Sequence, residues 1–276
     1  MNTHATRVEG RLRLFVFGKT IRRALYVLGG LWVLVVISPA SPLAFVRANL
    51  LLGMGQTDWA LGIYDDVAEQ GVTASLRSAA LHRSAMLWSI EQRNPDEALR
   101  RWGMLAQTSP NLGVRADAWK RVGDLLSEVD GLHRDAAKAY KRSADFAIRS
   151  EYRSTMMLLA SEQWLAAKEF HAAEALLHQV LEQAPGHRTA AFFGLANSTM
   201  KQRQFEQALS WFENAAASST RVDDQERATM GVSMVLERLG ILDEAIAELT
   251  SSGIPEEIQD ARREKMLERR QKMKSK

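Results

Sequence analysis

Alanine recurs along this chain at positions 60, 98, 136, 173, 208 and 245, that is, 38, 38, 37, 35 and 37 residues apart. Each recurrence brings the same companions: a large apolar or aromatic residue four positions later and a small or aliphatic one three after that. The sets are Ala60/Tyr64/Val67, Ala98/Trp102/Leu105, Ala136/Tyr140/Ser143, Ala173/Leu177/Val180, Ala208/Phe212/Ala215 and Ala245/Leu249/Ser252. Offsets of four and seven place all three residues on one face of a helix, where the alanine lets a neighbour approach closely. A period of this length means stacked supersecondary units rather than one globular core.

Each triplet marks the second helix of a hairpin. Upstream lies a first helix with its own apolar spacing, as in Trp119/Val122/Gly123/Leu126, Met157/Ala160/Ser161/Trp164 and Phe192/Leu195/Ala196. Turns are expected at Gln92-Arg93-Asn94-Pro95, Val129-Asp130-Gly131, Lys168-Glu169-Phe170 and Gln202-Arg203-Gln204-Phe205, and Pro110, Pro185 and Pro255 fall where second helices must stop. Alternation of the kind a strand needs is missing over any useful length. The expected fold class is all-α, about six helical hairpins in a solenoid preceded by one transmembrane helix.

These motifs resemble the tetratricopeptide repeat (TPR) family, whose consensus runs Trp-x2-Leu-Gly-x2-Tyr, then Ala-x3-Phe-x2-Ala, then Pro. The resemblance covers roughly residues 43–255, and Thr189 to Arg221 is its clearest copy, with Phe205, Ala208, Phe212 and Ala215 in register. The chain departs from the family in a spacing above 34, in a first repeat that overlaps the apolar amino-terminal stretch, and in an extra residue near Gly131. The resemblance implies that first helices line a concave surface where a peptide or helix of another protein is held. The groove candidates are Arg83, Leu87, Lys120, Asp124, Leu158, Glu162, Phe193, Asn197, Lys201, Met230 and Met234. Some family members clamp a carboxyl terminus with a Lys, Asn, Asn, Lys, Arg constellation; here Phe193 stands where the first lysine would precede Asn197, which disfavours a carboxylate clamp.

The amino terminus adds a second constraint. Ala24 to Ile37 is an uncharged apolar run, and the uncharged stretch extends to Val46 before Arg47. Roughly 20 helical residues cross a bilayer, so a transmembrane helix is expected at 24–42, ended or kinked by Pro39 and Pro42. Arg7, Arg11, Arg13, Lys19, Arg22 and Arg23 against Glu9 make 1–23 a basic cytoplasmic segment by the positive-inside rule. The rest of the chain then lies across the membrane, periplasmic if the host is Gram-negative, with the protein single-pass in the inner membrane. A cleaved signal peptide fits the same composition and Ser38-Pro39-Ala40, and would make the protein secreted or periplasmic. The long segment before the apolar run and the proline beside the cleavage position favour the anchor.

Composition excludes several chemistries. With no cysteine there is no disulfide, thiolate metal site or cysteine nucleophile. A net charge of +3 from 36 basic and 33 acidic residues is too small to predict a nucleic-acid partner. The chain has no phosphate-cradling Gly-rich loop, Gly-x-Ser-x-Gly elbow or His-Glu-x-x-His. His171, Glu174 and His178 share a helical face without a second set of ligands, so no metal and no cofactor are expected, and no enzyme activity. Residues 256–276, acidic early and basic late, are expected to form a charged capping helix or tail. The functional expectation is a membrane-anchored scaffold for an envelope complex. The alternatives are a periplasmic chaperone-like binder of clients, an assembly or maturation factor, and a homo-oligomer built by end-to-end stacking.

Overall fold

Short polar side chains set the starts of three consecutive helices. Thr73, Asn94 and Asn111 stand in extended conformation and accept the backbone N–H of Leu76, Glu97 and Val114, while Pro95 supplies the first residue of its helix. The computed structural model describes Ser38 and residues 41–251 and 256–274. The described residues form thirteen α-helices and contain no strand. In chain order these are α1 (Pro42–Gly53), α2 (Thr57–Gln70), α3 (Ala74–Ile90), α4 (Pro95–Thr108), α5 (Leu112–Ser127), α6 (His133–Phe146), α7 (Ser150–Ala166), α8 (Phe170–Gln183), α9 (Arg188–Lys201), α10 (Phe205–Ser218), α11 (Val222–Leu239), α12 (Leu242–Ser251) and α13 (Glu256–Lys274). Helices α1–α4 form one compact unit and α5–α13 another.

The recurring triplets are the core of the second helices, as their spacing requires, Ser252 of the sixth lying outside the described residues. Tyr64, Val67, Leu105, Val180, Leu249 and all six alanines are fully buried, and Trp102, Tyr140, Leu177 and Phe212 nearly so. The close approach that alanine permits is matched on the first helices by glycine. A Cβ on Gly231 of α11 would lie 2.4 Å from the Phe212 ring, one on Gly123 2.8 Å from Tyr140, and one on Gly194 2.6 Å from Leu177. In the second unit, first helices also touch one another, α7 against α9 and α9 against α11.

All six turns within hairpins contain a left-handed residue: Gly55, Arg93, Gly131, Lys168, Arg203 and Gly240. At Gly55, Lys168, Arg203 and Gly240 the following N–H returns five residues to the carbonyls of Leu51, Trp164, Thr199 and Leu236, the bond of a Schellman stop. Pro95, Phe170 and Phe205 open helices instead of closing the expected turns. The junctions between hairpins use another device. Arg77, Arg153 and Gln225 each donate to the carbonyl six residues earlier, on Gly71, Ala147 and Ser219, satisfying the end of the preceding helix.

The basic segment and almost all of the expected transmembrane span lie outside the described residues. No described helix is long and apolar enough to cross a membrane. Ser41, at the end of the expected span, is extended and precedes Pro42 at the start of α1, so a new helix begins there. At the other end α13 packs on α12, with Met266 almost fully buried among Phe212, Val235 and Ala245 and Arg270 paired to Asp243 at 2.9 Å.

Candidate functional site

Helical spacing on the first helices decides which side chains are free to meet a partner. Arg83 and Leu87 belong to the first unit and the other candidates to the second. Leu87 is a correction: it is buried against Ala60, Leu61 and Tyr64, because α2 packs on that face of α3. Arg83 is exposed, and its charge acts on the buried Tyr64 hydroxyl, which donates to Asn49 at 2.7 Å.

In the second unit Lys120 and Asp124 are half-buried and bonded to each other at 2.7 Å, and Tyr140 donates to the same carboxylate at 2.9 Å. That carboxylate ties α5 to α6. Burial pushes the Tyr140 hydroxyl up to about 12, and the negative charges of Asp124 and Glu162 add to the rise. Glu162 on α7 is exposed to solvent at its surface, yet its carboxyl sits among enough protein that desolvation raises its pKa, while Arg227 of α11 pulls it down. Leu158, one turn earlier, is half-buried.

Phe193 on α9 is the second correction. It is only 3% exposed, set edge-on to Phe212 at 6.3 Å between ring centres and covered by the Arg227 guanidinium 4.3 Å above its ring. The residue offered to solvent at that place is therefore Arg227. Sequence reasoning missed it, although it stands three and seven residues before Met230 and Met234 on one face of α11. Those two methionines are half-buried, and Asn197 and Lys201 on α9 lie at the surface, with the Lys201 amine 3.4 Å from the Leu165 carbonyl. Glu162, Asn197, Lys201, Arg227, Met230 and Met234 thus stand on three first helices that touch in series.

The histidine set does not form a ligand cage. Glu174 accepts from Ser198 and Gln202, His178 meets the edge of Trp211 at 5.9 Å, and His171 projects into solvent. No group of three or more metal-ligating side chains occurs among the described residues. A cleft of about 350 Å³ between α6, α7 and α8, lined by Lys141, Asp145, Arg153 and Gln179 over Met157 and Leu176, shares no residue with the first-helix face.

No family model matches this sequence, and no curated protein does either. Solved structures match it in fold. The crystal structure of MamA protein aligns at a TM-score of 0.50 and 16% identity, covering 63% of this chain and 88% of that one. The fold is TPR-like. The crystal structure of YrrB, a TPR protein with an unusual peptide-binding site, has a TM-score of 0.48 at 17% identity and covers 68% of this chain and 90% of its own. At these identities the likeness concerns the TPR-like fold, and the exposed faces belong to this chain's own residues.

Proposed function

We propose that this protein is a non-enzymatic scaffold, anchored in the inner membrane by residues 24–42, that holds a segment of another protein of an envelope complex against the first-helix face of α7, α9 and α11. The observation that carries the reading is the reach of Arg227. From α11 it covers Phe193 on α9 and acts electrostatically on Glu162 of α7, so exposed groups of three hairpins share one surface. The surface joins an incompletely compensated carboxylate, an amide and two cations to half-buried methionine and leucine. That combination suits a helix or peptide with an apolar stripe and a basic residue set to meet Glu162. A cation brought to Glu162 favours its ionised form, so binding should release protons near the carboxyl's raised pKa.

The test is purification of the full-length protein in mild detergent from its native membrane, beside a Glu162→Lys, Asn197→Ala double variant with unchanged helical content. The reading predicts a few stoichiometric partners with the native chain, their loss from the variant, and an intact amino terminus. Equal recovery of the same partners by the variant would remove the first-helix face from the reading. A mature terminus near Ser41 would remove the anchor alone.

A further inference from the structure

Helix α1 exposes an apolar face that no described residue of the first unit covers. Leu43, Val46 and Leu50, at offsets of three and seven, share one side of the helix and are 42%, 51% and 60% exposed, and Met54, the residue that caps its last turn, is 69% exposed. Trp59, at the start of α2, is 71% exposed. A contiguous stripe of this kind marks an interaction surface.

We infer that this stripe lies in the headgroup region of the bilayer, with α1 running along the membrane surface. The inference rests on the anchor reading above and extends it. Three observations select lipid over protein as the occupant. The uncharged sequence that begins at Ala24 runs without a break to Val46, so Leu43 and Val46 belong both to that stretch and to the stripe. Ser41 is extended and Pro42 starts α1, so this helix has a start of its own inside the uncharged stretch and is free to take its own direction at the membrane edge. Helix α1 contains no acid and a single base, Arg47, while Trp59 presents an indole of the kind that settles at membrane–water boundaries. Twelve residues make α1 about 18 Å long, enough for the four side chains to enter the interface together. The contact would fix the first hairpin against the membrane instead of leaving it on a free tether.

The native chain has no cysteine, so single labels can be placed freely. Full-length variants Leu34→Cys, Leu50→Cys, Met54→Cys and Gln107→Cys, each carrying a nitroxide, are reconstituted in phosphatidylethanolamine–phosphatidylglycerol vesicles. Collision with oxygen is compared with collision with a water-soluble nickel chelate. The expected result is an oxygen preference at Leu50 and Met54 about threefold or more above that at the exposed Gln107, with a larger preference at Leu34. Aqueous Leu50 and Met54 beside a lipid-embedded Leu34 overturn the inference and leave the anchor standing. An aqueous signal at all positions overturns both. Strong dipolar broadening between labels at Leu50, persisting when lipid is in large excess, assigns the stripe to a second copy and also overturns the inference.

Discussion

Adding one methyl group at Gly231 should destabilise the second unit, whereas the same change at Gly103 should stabilise the first. Both glycines are inside helices, where alanine is favoured by about 1 kcal/mol. A Cβ at Gly103 meets nothing within 4 Å, so Gly103→Ala should gain about 0.5–1 kcal/mol. At Gly231 the new carbon would lie 2.4, 2.5 and 2.8 Å from three atoms of the Phe212 ring, more than ~1 Å inside van der Waals contact at the nearest two. The ring cannot swing away cheaply, being 4% exposed and packed against Phe193, so α11 must move off α10. Overlap this deep falls at the upper end of the roughly 1–3 kcal/mol that overpacking costs, which after a gain of about 1 kcal/mol in helix propensity leaves a loss of about 2 kcal/mol. Urea titration of each variant beside the native chain, followed by circular dichroism, reads both signs. A Gly231→Ala protein as stable as the native one would show that α10 and α11 do not approach so closely, and would refute the role given to the glycine.

Lys168→Gly and Arg203→Gly should each raise stability by about 0.5–1 kcal/mol by relieving left-handed turns, and Gly240→Ala should lower it by a similar amount, as thermal melts would show. Asp65→Ala should cost the first unit about 3 kcal/mol, because it removes the carboxylate that accepts from Arg101 Nη2, a side chain only 6% exposed, and leaves Glu97, 4.0 Å from Nε, as its remaining counter-charge; urea midpoints measure the loss. For Tyr140 the folded pKa, about 12, exceeds the ordinary value near 10, so its contribution is intact below pH ~10 and disappears as pH rises through 12. A rise of that size is worth about 3 kcal/mol, so Tyr140→Phe should lose less stability than the native chain between pH 10 and 12 in alkaline melts.

The hairpins were legible because the alanine triplets have no other use: a small residue, a large one and a small or aliphatic one on a single face describe a helix pressed between two others. The same logic failed for surfaces. Phe192 and Phe193 are adjacent and chemically alike. What covers Phe193 is the Phe212 ring on α10 and a guanidinium on α11, and nothing in the local spacing reports either. Leu87 failed likewise, since its cover comes from α2. The turns were placed by their polar residues, yet nothing about lysine or arginine announces positive φ at Lys168 and Arg203. Met266 was hidden in a run of charges because a single buried contact leaves no periodic trace. Arg227 could have been found by extending the methionine spacing on α11 back one turn.

The central claim is that the first-helix face of α7, α9 and α11 is where a partner sits. Benzoylphenylalanine introduced singly at Asn197, at Met234 and at His171, whose side chain is 98% exposed on the second helix α8, tests it in intact cells after ultraviolet irradiation. The account predicts one or a few discrete cross-linked species from Asn197 and Met234 and none from His171. Equal cross-linking from His171, or none from Asn197 and Met234, would contradict it.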